Sequence, residues 1–583
     1  MTVEDIKRAS RFLRGDLPEE LVDGGDSFSN DSQSLLKFHG IYQQDDRDVR
    51  RERAQKKLPL DYSCMVRASV PGGRLTAEQW LALDKVADLA DGTMRLTTRQ
   101  GVQFHVVHKG ELKELVYGIN RALLTTLAAC GDVTRNTMGS PWPDERQDVL
   151  QPLIAAIVAR FRPQTESYWD LWVDGEKAAT AAPPPLPRRG PLGRKRSAEP
   201  IYGDAYLPRK FKICVAWPGD NNVDVLSSDV GVVPILSEGT TGEVTGFNLY
   251  LGGSMGMSHS REHDTYPRLA VPFGWVAPEH LLDVIEAVVT TQRDYGRRDD
   301  RQRARLKYTI EERGIDFIRA EVGRRARVEI APLAEQVPWV PEDYHGTRDG
   351  VVGLPVPSGK VADRDGVHLR TALRAVVAEG LVTKITVTAR QDLLLHGIPD
   401  GRVNDVENRL REHGVKLAGD VSALRRLSIA CPALPTCGQA LAEAERVLPD
   451  IVTELEKALA DTGNGDAAIR LNMTGCPNGC ARPYNSEIGI VGRTKKGYDV
   501  YVGGSAVSDR MGLRIRTDVP LDQIAATLTP VLAQYAARED QSATFGDWAD
   551  GMGAATIETW LPEPVLRRRG ARAAAVAEAA DGS

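Results

Sequence analysis

The stretch LTTRQGVQFH (96–105) has a gapless counterpart in VTARQDLLLH (387–396), and this pairing decides how the chain is organised. Arg99 stands opposite Arg390, Gln100 opposite Gln391 and His105 opposite His396. Upstream of each copy lies a second pair, PGGRL (71–75) and PSGKV (357–361), followed in both places by a stretch with helical spacing. A third echo links GFNLYLGG (246–253) with GYDVYVGG (497–504), both alternating apolar strands that end in a glycine turn. One short match arises easily by chance, but segments repeated in the same order indicate two related halves. Strands interspersed with amphipathic helices, among them LAEAERVL (441–448) and 451–460, predict an α+β protein around a pseudo-twofold. Ligands in such an arrangement belong where the halves meet.

At 583 residues the chain exceeds one ordinary core, and about three to four domains are expected. With 42% hydrophobic and 26% charged residues its composition is that of a packed globular protein. A net charge of −6 is small for this length and argues against a nucleic-acid or membrane-surface partner, so electrostatic recognition must be local. The N-terminus lacks the apolar run of a signal peptide and no window of about 18 apolar residues occurs; a cytoplasmic location is expected. Residues 1–33 are polar and Gly/Ser/Asp-rich, and 567–583 are Ala/Arg-rich, so both ends are expected to be mobile tails. The proline-rich, basic segment 180–200 is predicted to be an exposed loop.

Seven cysteines are too few and too unevenly spaced for a disulfide framework. Four of them fall in two tight pairs, Cys431 and Cys437 in SIACPALPTCGQALAEAE and Cys476 and Cys480 in LNMTGCPNGCARPY. The run after Cys437 has helical periodicity, so the first pair is read as a loop entering a helix. The second pair follows an apolar strand (469–473), in a loop where Gly475, Pro477 and Gly479 disfavour regular structure and leave N–H groups free. Four thiolates around iron and sulfide make an anionic cluster, which is tolerable inside a protein when N–H donors lie close by. Structural zinc also takes four cysteines, but its pairs are usually separated by two to four residues. Five residues separate Cys431 from Cys437, and unrelated free thiols would scatter rather than pair.

The motifs CPALPTC and TGCPNGCARPY resemble the signature of the sirohaem and 4Fe-4S sulfite and nitrite reductases. The resemblance extends over nearly the whole chain, from LKFHGIYQQDDRD (36–48) through RLTTRQ, CGDVTRN, IYGDAYLPRKFK, GFNLYLGG and TTQRDYGRRDDR to FGDW. It implies an assimilatory sulfite reductase that reduces sulfite to sulfide by six electrons, with Cys431, Cys437, Cys476 and Cys480 holding the cluster and Cys480 bridging it to the sirohaem iron. The fold expected is α+β, a pseudo-twofold repeat of ferredoxin-like and sirohaem-binding α/β domains with the cofactors at the interface. After the tail 1–33, the expected layout places the two halves of the repeat domain at 34–127 and 328–415. A sirohaem and substrate domain spans 128–327, and an iron–sulfur and sirohaem domain spans 416–566, before the tail 567–583. A nitrite reductase of the same family and, in a different class, a metal-stabilised binding module without a cationic pocket are the alternatives.

Sirohaem carries many carboxylates and sulfite is a small anion, so both demand clustered cations. By resemblance Arg67, Arg99, Arg135, Lys210 and Lys212 match the family's basic residues around the distal face of the haem. Arg67, Arg135, Lys210 and Lys212 are the catalytic candidates; Arg99, Gln103, Asn478 and Cys480 are the cofactor-binding ones. Lys210 and Lys212 alternate along a predicted strand and so share a face. Arginine grips oxyanions with two donors, while a lysine beside other cations has a lowered pKa and can also deliver protons. In the family the second lysine of K-x-K goes with sulfite, and this chain has Lys212 there. Arg390 stands opposite Arg99, yet LLLH replaces VQFH, so one half is expected to keep the active site and the other to serve as scaffold. The basic run RRDDRQRARLKY (297–308) fits either a partner for sirohaem carboxylates or a solvated helix face.

LNMTGC carries Asn472 where the family often has a basic residue. Tyr42 and Cys130 match positions that in some ferredoxin-type relatives form a covalent link beside the haem, although an ordinary buried phenol and thiol fit as well. The one G-x-G-x-x-A pattern, Gly463, Gly465 and Ala468, follows a helix and precedes a strand, the reverse of a dinucleotide fold. Electrons are therefore expected from a separate protein, ferredoxin by preference or a flavoprotein reductase subunit.

Overall fold

The repeated segments become two five-stranded antiparallel sheets that exchange a strand. This computed structural model describes residues 2–172 and 199–563; most of the predicted loop 180–200 and all of the segment 567–583 lie outside the described residues. The first sheet orders Ile41–Asp45, Tyr62–Ala68, Val102–Val107 and Met94–Leu96, and is completed by Lys360–Val361 from the other half. The second orders Gly346–Arg348, Val351–Leu354, Leu393–His396 and Lys384–Val387, and is completed by Arg74–Thr76. The two exchanged strands are those that follow PGG and PSG, each of which makes a single turn of 3-10 helix before the chain crosses over. Glycine is required at both crossings: a Cβ on Gly73 would lie 2.1 Å from the Val387 carbonyl oxygen, and one on Gly359 2.5 Å from that of Leu96. Helices Ala77–Val86 and Leu369–Ala378 come next and are tied by Arg370, whose Nε donates to Asp84 Oδ1 at 2.7 Å.

A second duplication builds two mixed sheets. One orders Val271–Val276, Thr241–Leu251, Val230–Glu238, Ile213–Val215 and Met138–Gly139; the other orders Leu513–Pro520, Gly497–Val502, Ile488–Gly492, Leu471–Thr474 and Ile429–Ala430. In each, three parallel strands are followed by two antiparallel ones. The same local bonds recur: Lys212 N–H donates to Asp229 Oδ2 at 2.9 Å and Arg470 N–H to Glu487 Oε2 at 2.9 Å. Lys212 and Arg470 are thus equivalent positions, as are Asp224 and Arg482, which both have left-handed backbone at φ 50° and 54°. The pseudo-twofold read from the sequence is present in both layers of the fold.

Three expectations need correction. Residues 2–33 are not a free tail: helices Val3–Ala9, Leu17–Leu21 and Asn30–Leu36 bury Ile6, Leu13 and Leu17, and the Lys7 ammonium donates to Leu207 O at 2.9 Å and lies 3.6 Å from Asp132. Anchors that far apart in sequence leave no local periodicity to read. LAEAERVL does not form a helix; helix begins at Leu448, because Leu441 and Ala442 spend their N–H groups on the Gly475 carbonyl at 2.8 and 3.0 Å. Lys210 and Lys212 precede the strand Ile213–Val215 and flank Phe211, whose backbone makes an isolated bridge to Thr134. Among the described residues no helix is long and apolar enough to cross a membrane.

Candidate functional site

The four paired cysteines come together from two loops at the ends of adjacent parallel strands. Cys431 follows Ile429–Ala430 and donates its N–H to Met473 O at 3.2 Å, while the Gly475 N–H points at the Cys431 sulfur at 3.4 Å. Burial and the neighbouring Cys480 and Cys476 thiols push the Cys431 thiol far up, and burial with Cys480 pushes Cys476 to about 12. Burial and Cys480 also raise Cys437, against the N–H groups of Gln439 and Ala440 and the charge of Arg47. Cys431, Cys437 and Cys476, held neutral by burial and by their neighbours, need a cation-rich partner to become thiolates, which iron supplies. No three His, Cys, Asp or Glu side chains among the described residues are gathered as tightly as a single metal ion requires. The cysteine loops are close-packed at their glycines: a Cβ on Gly475 would lie 2.4 Å from Ala442 O, and one on Gly479 2.6 Å from Met255 O. Asn478, between the last two cysteines, hydrogen-bonds Cys476 through its N–H and its side chain.

Near the exposed Cys480 gathers a cluster of basic side chains. Arg67 and Gln103 are cross-strand partners, and the Gln103 amide oxygen, turned toward Arg67, accepts from Nη2 at 2.6 Å and Nε at 3.2 Å. Arg99 Nη2 donates to Asn136 O at 2.6 Å and Ile213 O at 3.2 Å, leaving its buried Nε without a partner. Arg135 Nε and Nη2 donate to Gly131 O at 3.2 and 3.1 Å, and its charge faces Tyr42. Burial, then Arg135, Arg305 and Arg209, lower Lys210 to about 7; burial, then Lys210, Arg99 and Arg305, hold Lys212 far below the ordinary lysine range. Asp229 is the carboxylate opposing them, and it is already engaged by Arg305 at 2.8 and 3.1 Å. Such a surplus of half-buried positive charge is stable beside anions. The charge of this cluster therefore suits anions such as carboxylates.

Comparison with known proteins places the chain in a family. The model of the nitrite and sulphite reductase 4Fe-4S domain matches residues 156–330 and 423–568, and that of the nitrite/sulfite reductase ferredoxin-like half domain matches 59–122 and 345–413. The chain belongs to the nitrite and sulphite reductase family. Similar curated proteins include the "Sulfite reductase [NADPH] hemoprotein beta-component" of Paenibacillus sp. (strain JDR-2), 41% identical over 94% of each chain. The protein of that name from Xanthomonas oryzae pv. oryzae (strain PXO99A) is 41% identical over 97% of this chain and 98% of its own. The solved structure of Mycobacterium tuberculosis NirA protein has the same fold, with TM-score 0.75 and 24% identity over 95% of this chain and 96% of that one.

Within this family fold the kept site takes its cysteines from the second half and its cations from the first, and the pseudo-equivalent site made of the converse residues has been lost. Counting back from the equivalent residues Asp224 and Arg482, Pro218 and Asn222 stand where the other half has Cys476 and Cys480. Ser140 stands for Cys431: Trp217 N–H donates to Ser140 Oγ at 2.8 Å, as Gly475 N–H does to the Cys431 sulfur. The counterpart of Arg67 is Gly353, where a Cβ would lie 1.7 Å from Tyr344 O, so the segment carrying Tyr344 fills the space. Arg426, the counterpart of Arg135, is spent on Asp343 at 2.9 Å.

Several functional neighbours escaped the sequence reading. Arg305 was one charge in a basic run; Arg298 and Arg301 of that run pair with Glu4 and Asp132, and only its end, from Leu306, is helical. Arg47 donates to Cys437 O at 3.2 Å and Ala440 O at 2.5 Å, bracing the first cysteine loop from the other end of the chain. Only the QQDDRD motif could have signalled it.

Proposed function

We propose that the chain is the haemoprotein component of an assimilatory sulfite reductase, which carries sulfite to sulfide with six electrons and six protons, releasing three waters. The observation that supports this most is the meeting of four cysteines from two loops with a cluster of basic side chains near Cys480. Sirohaem and a 4Fe-4S cluster, when bound, supply an iron that takes the substrate and an electron store beside it. Cys431, Cys437, Cys476 and Cys480 would hold the cluster, with Cys480 shared. Arg99, Gln103 and Asn478 would meet the macrocycle. Arg67, Arg135, Lys210 and Lys212 would hold the anion, and Lys210, being close to neutrality, can pass protons to oxygens leaving as water.

For the donor, the names of the similar curated proteins favour an NADPH-linked flavoprotein partner over the ferredoxin preferred from the sequence. A cytoplasmic setting goes with that partner. The deciding measurement is the visible spectrum of the purified chain with its iron and acid-labile sulfide content. Tetrapyrrole bands with labile sulfide are expected, and a colourless zinc protein would refute the reading. Turnover driven by a reduced flavoprotein or by reduced ferredoxin then separates the donors.

A further inference from the structure

Arg482 lies on the pseudo-twofold axis and ties both copies of the repeat to the loop of Cys480. Its Nη1 donates to Thr98 O at 2.8 Å and its Nη2 to Ala389 O at 2.7 Å, and Thr98 and Ala389 are equivalent residues of LTTRQ and VTARQ. Its Nε pairs with Asp224, the residue equivalent to Arg482 itself; the two are 6% and 1% exposed. From this clasp the three carbonyls of 480–482 are all held. Thr98 Oγ1 donates to Cys480 O at 2.8 Å, and Asn472 Nδ2 donates to Ala481 O at 2.8 Å and Arg482 O at 3.1 Å. Asn472 is held in turn by Arg390, whose Nη2 donates to its Oδ1 at 3.2 Å.

The asymmetry between the halves is the informative part. Where the cysteine is kept, a hydroxyl and an amide clamp its loop; where Asn222 replaces it, Ala389 stands for Thr98 and offers no donor. Cys214, paired in register as Asn472 is, offers Val223 O a weak thiol contact at 3.6 Å in place of an amide donor. The clamps accompany the cysteine rather than the fold.

We infer that Thr98, Asn472 and Arg482 are positioning residues that set the orientation of Cys480 toward the two groups it is proposed to join. The inference rests on the functional reading above. A carbonyl freed from its donor lets the peptide plane of Cys480 rotate and carries the thiolate with it. Outer-shell partners of this kind typically change metal affinity or activity about 10–100-fold.

The test uses the full chain loaded with its cofactors. Thr98→Val removes the hydroxyl at nearly constant shape, and Thr98→Ser restores it; Asn472→Leu removes the second clamp. Three quantities are read: sirohaem and iron per chain, the low-temperature spectroscopic signature of coupling between haem and cluster, and kcat separately from KM. Thr98→Val is expected to keep full cofactor content and KM, with an altered coupling signature and kcat lower by about 10–100-fold. Thr98→Ser should match the wild type, and Asn472→Leu should reproduce the altered signature. A coloured wild type whose Thr98→Val and Asn472→Leu variants keep its signature and kcat overturns this inference alone. A colourless wild type overturns the functional reading and this inference together.

Discussion

Replacing Lys212 with Asn tests the basic cluster where its electrostatics are steepest. Lys212 is crowded by Lys210, Arg99 and Arg305, and the opposing Asp229 is already bonded to Arg305 at 2.8 Å and to the Lys212 N–H at 2.9 Å. A bound anion draws Lys212 back to its charged form, and with Asp229 engaged elsewhere that ammonium is the group left to act on a substrate. One unit charge at about 6 Å in a medium of effective dielectric about 20 contributes roughly 3 kcal/mol per unit of substrate charge. Screening by the remaining cations and by entering water cuts that by about half, to roughly 1.4 kcal/mol, or about tenfold per unit of charge. A monoanion such as nitrite should lose about tenfold in kcat/KM, whereas fully dianionic sulfite should lose about a hundredfold. The wild type should prefer sulfite, and the variant should move the sulfite-to-nitrite ratio by about tenfold toward nitrite. Both substrates are measured with one artificial donor on protein of equal haem and iron content. An unchanged ratio would refute the reasoning and locate selectivity elsewhere.

Leu13→Ala should cost about 2–5 kcal/mol of stability in denaturant unfolding, because Leu13 is fully buried in a segment that composition alone makes look like a tail; no loss would contradict the packed N-terminus. Lys210 sits at about 7 in the folded chain but near 10.4 when unfolded, so between these values the unfolded state binds more protons. The cofactor-free chain should gain stability as pH rises through that window, and Lys210→Met should flatten the rise. Tyr42, raised by burial and by the neighbouring Cys130 thiol, faces Arg135. Peptide mass mapping should recover the Tyr42 and Cys130 peptides separately, and a joined species lighter by two hydrogens would reverse that expectation.

What the sequence disclosed, and what it hid, follows from how far each signal reaches along the chain. Arg99, Gln100 and their copies were legible because their roles are imposed by backbone: Gln100 and Gln391 both have left-handed φ, at 55° and 70°, and their amides bond carbonyls in the neighbouring strand or turn. The cysteines were legible because thiolate chemistry restricts the residue type. The strand exchange between PGGRL and PSGKV was not legible, since pairing Lys360 with Arg95 and Thr76 with Lys384 leaves no trace in local periodicity. LAEAERVL misled for the opposite reason: its helical spacing is real, but the N–H groups of Leu441 and Ala442 are needed at Gly475 O to close the cysteine loop. The degenerate site was invisible because Ser140, Pro218 and Asn222 share no chemistry with the cysteines whose places they hold. Recurring hydrogen bonds reveal the equivalence: Trp217 N–H to Ser140 as Gly475 N–H to Cys431, and Lys212 N–H to Asp229 as Arg470 N–H to Glu487. Backbone geometry thus outlasts side-chain identity when a duplicated site decays. In this chain the surviving copy is recognised by the donors gathered around it as much as by its ligands.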